Sequence, residues 1–229
     1  MLPVALFMAA GYPKGRYFYF FQENASVMTV SETKYDILGI GNAITDILAH
    51  VEPAFLEQQN LTPGSMTLID ADRADALTAN LKTERVMGGG SAANTCVVAA
   101  QFGARVAYLG KVARDNAGEK FTQDLRENGI TFPSAPLDGH VTDNLPTARC
   151  VVMVTPDGQR TMATYLGACT HFTTDDVLEE TIAASRIVYL EGTHKKLSAV
   201  QQLWPIITAA KLPFLSQTRS VLAATVKHF

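Results

Sequence analysis

A chain of 229 residues, 47 % of them hydrophobic and 18 % charged, can bury one substantial core, or one large domain with a smaller one attached, and has the make-up of an ordinary globular protein. Its net charge of −3 offers no basic footprint for nucleic acid. The five histidines show no metal-ligand spacing. The three cysteines, Cys96, Cys150 and Cys169, are odd in number, form no CxxC pair and point to reduced thiols in a cytoplasm-like compartment.

In chain order, residues 1–27 are apolar and aromatic, but their apolar runs are too short to span a membrane and no basic stretch precedes them as in a secretory signal. Met28 opens a polar lead into a strand, so it is expected to be the biological start and residues 1–27 a non-native extension. "YDILGIGN" (35–42) reads as a buried parallel strand. "SMTLID" (65–70) follows the turn signal "TPG" and alternates, with Met66 and Leu68 on one face of a thinner sheet. "ADRADALTANL" is a helix. Ser91 to Phe102 is a helix of small residues that Gly103 suits as a C-terminal cap. "RVAYLGKV" is the next strand. "DNAGEKFTQDLRENG" is an amphipathic helix with Ala117, Phe121 and Leu125 on one stripe, ended by Gly129. "ARCVVMVTPDGQRTMATYL" (148–166) is a hairpin, "TTDDVLEETIAAS" a helix with a Thr cap, and "RIVYLEG" a buried strand. Alternating strands and helices predict a layered α/β domain, and the hairpin with "SMTLID" predicts a small β lid. There is no internal repeat.

"GIGNAITD" (39–46) is a weak dinucleotide signature, because Ile44 stands where GxGxxG needs its third glycine. A glycine-lined strand end reads it equally well. Asn42 and Asp46, however, follow a buried strand, where α/β proteins bind ligands, and an aspartate there can accept hydrogen bonds from two neighbouring sugar hydroxyls. "GGGSAAN" (88–94) lacks the Gly-Lys-Ser/Thr of a phosphate loop. Its plain reading is a tight turn into a helix, but glycines let a ligand approach, the helix start offers free N–H groups, and Asn94 both donates and accepts. No cation accompanies the loop, so a polyol fits better than a phosphate. "GKVARDNAG" reads as a strand end and a helix cap. "DGQRT" reads as a hairpin turn with Arg160 as a solvated charge. Cys150, Met162 and Leu166 are sheet core by default, though on a lid they could pack against a flat aromatic ring.

Taken in order, "GIGNAITD", "GGGSAANTCVVAAQFG", "GKVARDNAGEKF" and "PTARCVVMVTPDGQRTMATYLGA" resemble the PfkB, or ribokinase-like, carbohydrate kinase family over residues 35 to about 192. Within it they are more similar to adenosine kinases than to fructokinases. The resemblance implies a truncated ribokinase-like (Rossmann-like) α/β sandwich with a small β-sheet lid: the N-terminal part of the kinase domain at 28–192, with lid segments at about 47–70 and 147–166. It implies that Asp46 holds the ribose 2′- and 3′-hydroxyls, with Asn42 in the same pocket. Gly89, Gly90, Ser91 and Asn94 would line the ribose. Met66, Leu68, Cys150, Met162 and Leu166 would form the lid surface over the base, and Arg160 matches the lid arginine. Lid closure would exclude water from the transfer site. The implied reaction is phosphorylation of a nucleoside 5′-hydroxyl, with ATP and Mg²⁺, in the cytoplasm. The implied partner is a small molecule, adenosine or a sugar, with no nucleic acid and no membrane; oligomeric state is not readable.

One departure is severe. The family's C-terminal DTxGAGD motif, whose aspartate is the catalytic base and whose helix start binds the transferring group, has no counterpart here, nor has the NxxE motif that organises Mg²⁺. The chain is therefore expected to hold a substrate half-site with no catalytic residue and no metal ligands. After Gly192 the resemblance is expected to stop. Residues 193–229 are expected to be a frameshifted tail: with permitted codons, 211–229 can be read in another frame as "KVAFSLSDAFCVGRYREAL", whose "SLSDxFCV" is typical of this kinase group, and the stretch from about Leu197 as "AQRSAAIVANHHGG". The open readings are a nucleoside kinase with a truncated record, a sugar kinase of the same family, and an inactive fragment with an exposed sheet edge and poor solubility; a dehydrogenase is remote, given Ile44. Resequencing the gene tests the frameshift: a kinase-like continuation downstream in another frame is expected, and a correctly framed tail without one would overturn it.

Overall fold

The computed structural model describes residues 33–137 and 145–191, together with the backbone of three short strands outside them. In chain order the elements are β1 (Ala5–Phe7), β2 (Phe18–Phe20), β3 (Tyr35–Ile40), β4 (Ile44–His50), α1 (Pro53–Gln58), β5 (Met66–Leu68), α2 (Ala71–Ala79), β6 (Thr83–Gly89), α3 (Ser91–Gln101), β7 (Val106–Leu109), α4 (Asn116–Glu127), β8 (Ala148–Val154), β9 (Arg160–Tyr165), α5 (Glu179–Ala183), β10 (Ser185–Leu190) and β11 (Phe214–Ser216). The expected N-terminal extension and frameshifted tail lie almost wholly outside the described residues. Within them, β1 pairs antiparallel with β2, and β11 runs parallel to β10.

Two sheets share the chain. The first is parallel, in the order β11-β10-β3-β7. Strand alternation sends Leu38, Ile40, Leu109, Val188 and Leu190 to one face, where Phe172, Val177 and Ile182 cover them. Gly39, Tyr108 and Tyr189 point to the other face, under α3 and α4. This explains the small residues of α3: a Cβ on Gly39 would stand 2.3 Å from Cys96 Sγ, and one on Gly41 2.6 Å from Ala92 Cβ. The strand backbone packs directly on the small side chains of the helix, and larger residues on either side would force them apart. The stripe of α4 behaves as its spacing predicts, with Phe121 and Leu125 buried. Phe121, Tyr108 and Phe132 form an aromatic trio with ring centroids 5.6–6.1 Å apart.

The second sheet is mixed, in the order β5-β9-β8-β4-β6. Helices α1 and α2 cover one face through Leu56, Leu77, Val151, Met153 and Ala163; the other face is covered at one end, where Cys169 and Leu166 pack with Ile44, Ala148 and Cys150, and open toward Met66 and Leu68. The hairpin, the "SMTLID" strand and the α/β layering stand as expected. Two strands do not: β4 and β6 occupy segments that the sequence reads as strand end and glycine turn. The alternation of "ITDILAH" is obscured because Asp46 takes an otherwise apolar face position. Thr83, Glu84, Arg85 and Val86 of β6 are exposed on an edge strand, so they carry no apolar period. The helix expected over 173–185 is also divided. A 3-10 turn at Thr174–Asp176 closes in a Thr173–Asp176 capping box, Val177 and Leu178 run extended, and only Glu179–Ala183 is α-helical. Asp176 uses one carboxylate oxygen for that capping box and the other for a buried ion pair with Lys111.

The chain passes between the sheets several times, and α4 secures three of the lid strands. Asp115 caps α4 by accepting the Gly118 N–H (2.8 Å), and also accepts the Thr147 hydroxyl (2.6 Å) and N–H (2.8 Å) at the foot of β8. The Thr147 hydroxyl oxygen in turn accepts the Ala113 N–H at 2.9 Å. Thr45 of β4 donates to the Ala117 carbonyl at 2.9 Å, and Gly88 of β6 donates to Asp124 at 2.6 Å. Asp115→Ala removes a cap and strands Thr147. It is expected to lower unfolding free energy by about 2–3 kcal/mol in urea titrations, with Asp115→Asn losing less.

Candidate functional site

The site forms where β3 leaves the parallel sheet at its carboxyl end and continues into β4. Gly41 and Asn42 make the passage, and the Tyr108 hydroxyl donates to the Asn42 carbonyl at 3.1 Å, tying it to the aromatic core. The Asn42 Oδ1 is buried and has no hydrogen-bond partner among the described residues. Gly90, at φ +90°, caps α3, and a Cβ there would stand 2.5 Å from the Asn42 carbonyl oxygen. The first intrahelical bond runs from the Asn94 N–H to the Gly90 carbonyl, which leaves the N–H groups ahead of it for other acceptors. The Ser91 and Asn94 side chains are exposed beside them.

Asp46 stands on the open face of the lid sheet. Its carboxylate lies against the backbone of β6 so closely that a Cβ on Gly89 would be 2.2 Å from the carboxyl carbon. Among the described residues its side chain makes no hydrogen bond, and burial alone pushes its pKa up to about 6. Cys150, opposite it on β8, is itself pushed up to about 11, chiefly by burial. The Thr164 hydroxyl contacts the Cys150 sulfur at 3.3 Å.

Register arranges this face in rows. One row runs Met87, Asp46, Cys150, Thr164, Leu68; the next runs Leu48, Val152, Met162, Met66. The sequence-selected Met66, Leu68, Cys150 and Met162 are thus brought onto the face that carries Asp46, and Leu166 follows directly after β9 in the same apolar cluster. Met66 and Leu68 are 56 % and 57 % exposed, on a strand at the sheet edge. Arg160 opens β9 two residues before Met162 and so falls on the same face, exposed at its far end and about 13 Å along the strand from Thr164. Leu48, Met87, Val152 and Thr164 were not selected from sequence. Their signal was the period-two alternation of β4 and β8, usable only once those strands are paired.

Among the described residues no group of three or more His, Cys, Asp or Glu could hold a metal ion, and no helix is long and apolar enough to cross a membrane.

An α/β layer carrying a mixed-sheet lid over the carboxyl end of its strands is the ribokinase-like fold, and solved structures share it. An adenosine kinase from Sinorhizobium meliloti superposes with TM-score 0.72 at 42 % identity, over 79 % of this chain and 55 % of that one. A probable sugar kinase protein from Rhizobium etli CFN 42 does so with TM-score 0.72 at 34 % identity, over 80 % and 55 %. The sequence pattern of the pfkB family carbohydrate kinase matches residues 58–217, and the chain belongs to that family. This match continues past Gly192, where the sequence reading ends the resemblance, and takes in β11. An adenosine kinase from Dictyostelium discoideum is 28 % identical over 166 residues, which are 68 % of this chain and 46 % of that protein. The chain spans less than half the length of the curated relatives it matches.

The raised Asp46 pKa has a consequence for stability. The folded state binds the Asp46 proton more readily than the unfolded chain, so this group opposes folding at neutral pH. The penalty disappears as pH falls through about 6 toward the ordinary carboxylate value. Asp46→Asn is expected to stabilise the ligand-free chain at pH 7.5 by about 2 kcal/mol, and by much less at pH 4.5, in urea titrations at the two pH values.

Proposed function

We propose that this chain provides the acceptor-binding half of an ATP-dependent kinase that phosphorylates the 5′-hydroxyl of a nucleoside of the adenosine type. The observation that carries the reading is Asp46: a largely buried carboxylate with no side-chain partner among the described residues, packed on a glycine backbone at the head of an apolar sheet face. Leaving such a group unmatched is costly, and two vicinal hydroxyls would match it with charge-assisted hydrogen bonds. The ribose 2′- and 3′-hydroxyls have that spacing.

Around it, Asn42, Gly89, Gly90, Ser91 and Asn94 would line the sugar. The glycines clear the approach, the unpartnered Asn42 Oδ1 accepts a donor from the ligand, and the α3 start supplies N–H groups. Met66, Leu68, Cys150, Met162 and Leu166 would cover the flat base, an apolar contact worth about 2 kcal/mol or more. Arg160 at the lid rim would act at long range. ATP is the donor such a kinase uses, with Mg²⁺, in the cytoplasm. The described residues hold no donor set fit for the metal, and no step through it is assigned to them; no catalytic residue is assigned either. The likeness to the probable sugar kinase from Rhizobium etli supports a second acceptor class, a free sugar.

Calorimetric titration of the 229-residue chain with adenosine, ribose and fructose separates the two. Adenosine is expected to bind more tightly than either sugar at pH 7.5, at least tenfold weaker at pH 5 because a protonated Asp46 loses its charge-assisted bonds, and not measurably to Asp46→Ala. Ribose or fructose binding without adenosine binding moves the assignment to a sugar kinase. Undiminished adenosine binding by Asp46→Ala overturns the site.

A further inference from the structure

The contact between Gly89 and Asp46 raises the question of what holds β6 in place. This strand is the edge of its sheet, paired on one side only, with β4, and its first four residues are exposed. Of its apolar residues, Val86 is exposed and Met87 half-buried. Its outer side meets α4 instead. The Gly88 N–H, turned away from β4, donates to Asp124 Oδ2 at 2.6 Å, while Asp124 Oδ1 is held by Lys120 one turn earlier. The fit is close: a Cβ on Gly88 would stand 3.3 Å from Asp124 Cβ and 3.4 Å from the Phe121 ring. Helix α4 cannot yield easily, since Phe121 and Leu125 lie in the aromatic core and Asp115 and Thr45 fasten its first turn.

We propose that Asp124 is a positioning residue for acceptor binding: by accepting the Gly88 amide it fixes β6, and so holds the Gly89 backbone against the Asp46 carboxylate. The inference rests on the reading of Asp46 as the hydroxyl-binding group. The distance logic is short. Gly88 is grasped by Asp124 and the next residue, Gly89, walls the carboxylate. A hydrogen bond to a charged acceptor is about twice as strong as a neutral one, and here it holds the outer side of an edge strand whose inner side is paired with β4. Without Asp124 the Gly88 N–H loses its acceptor, β6 moves outward, and water reaches Asp46 from a side the glycine now closes. A loosened wall would also widen the sugar seat, because the same strand continues through Gly90 into α3. The titratable groups around Asp46 are Cys150 on the paired strand β8, and Lys120 and Asp124 on α4 across β6.

The test compares wild type, Asp124→Ala and Asp124→Asn by two readouts: the titration midpoint of the Asp46 carboxyl carbon by NMR, and adenosine affinity by calorimetry. Asp124→Ala is expected to lower the Asp46 midpoint from about 6 toward the ordinary carboxylate range and to weaken adenosine about tenfold. Asp124→Asn is expected to restore both, because its amide oxygen still accepts the Gly88 N–H. A purely electrostatic influence would move the midpoint equally in both variants, since both remove the same charge, and that result overturns the proposal. So does Asp124→Ala with midpoint and affinity unchanged within twofold. If Asp124→Ala does not fold, Asp124→Glu replaces it: the charge stays, the acceptor is displaced by one methylene, and the midpoint is expected to fall, an unchanged one overturning the proposal. The NMR arm needs no ligand. A wild-type chain that ignores adenosine but shows the midpoint shift and its rescue supports the positioning role and places the failure on the nucleoside reading.

Discussion

The acceptor end of this molecule depends on one steric constraint: the backbone of Gly89 lies where any side chain would collide with the Asp46 carboxylate. That contact removes water from one side of the charge. Because no side chain among the described residues offers a donor in exchange, the charge remains available to a ligand. A carboxylate satisfied within the protein would fold more easily and bind less. Here the destabilisation is local, and the two sheets and their helices offset it elsewhere through ordinary apolar burial.

The same economy of side chains governs the packing behind the site. Gly39 and Gly41 let α3 settle onto β3 through Ala92 and Cys96, which brings the helix start level with the end of the strand. The Tyr108 hydroxyl then reaches the Asn42 carbonyl from within the aromatic trio, so the passage into β4 is fixed by the core rather than by the solvent-exposed loop alone. Backbone and hydroxyl groups thus carry the geometry, and the few charged side chains nearby are reserved for fastening α4 and for the ligand.

What could be read from the residues alone followed the physics of local signals. Glycines at helix ends, the apolar stripe of Phe121 and Leu125, and the hairpin turn "TPDG" depend on neighbours in sequence, and they sit as expected. The pairing of Asp46 with Gly89 was foreshadowed by motif likeness, but their contact was not, because it is a property of register between β4 and β6. Those two strands escaped notice for opposite reasons: one carries a charge where its alternation calls for an apolar residue, and the other is exposed through its first four residues, three of them polar. Arg160 shares the lid face by alternation, but its place at the far end of the strand is a matter of pairing that the sequence does not show. The helix after Thr173 begins in a local capping box, as its Thr cap leads one to expect, but Asp176 also carries a long-range ion pair with Lys111 that no local pattern announces.

The topology of the lid sheet has a consequence for the order in which the protein acquires its parts. Strands β4 and β8 are direct neighbours, yet α3, β7 and α4 are all threaded between them in the chain. Closing so long a loop is entropically expensive until the intervening elements have condensed. The parallel sheet closes a longer loop still, since β3 pairs with β10 across almost the whole described chain, whereas the lid pairs β4–β6 and β8–β9 are nearer in sequence. The acceptor seat, built where β3 passes into β4, therefore depends on long-range closures in both sheets, and it exists only in chains that have made both.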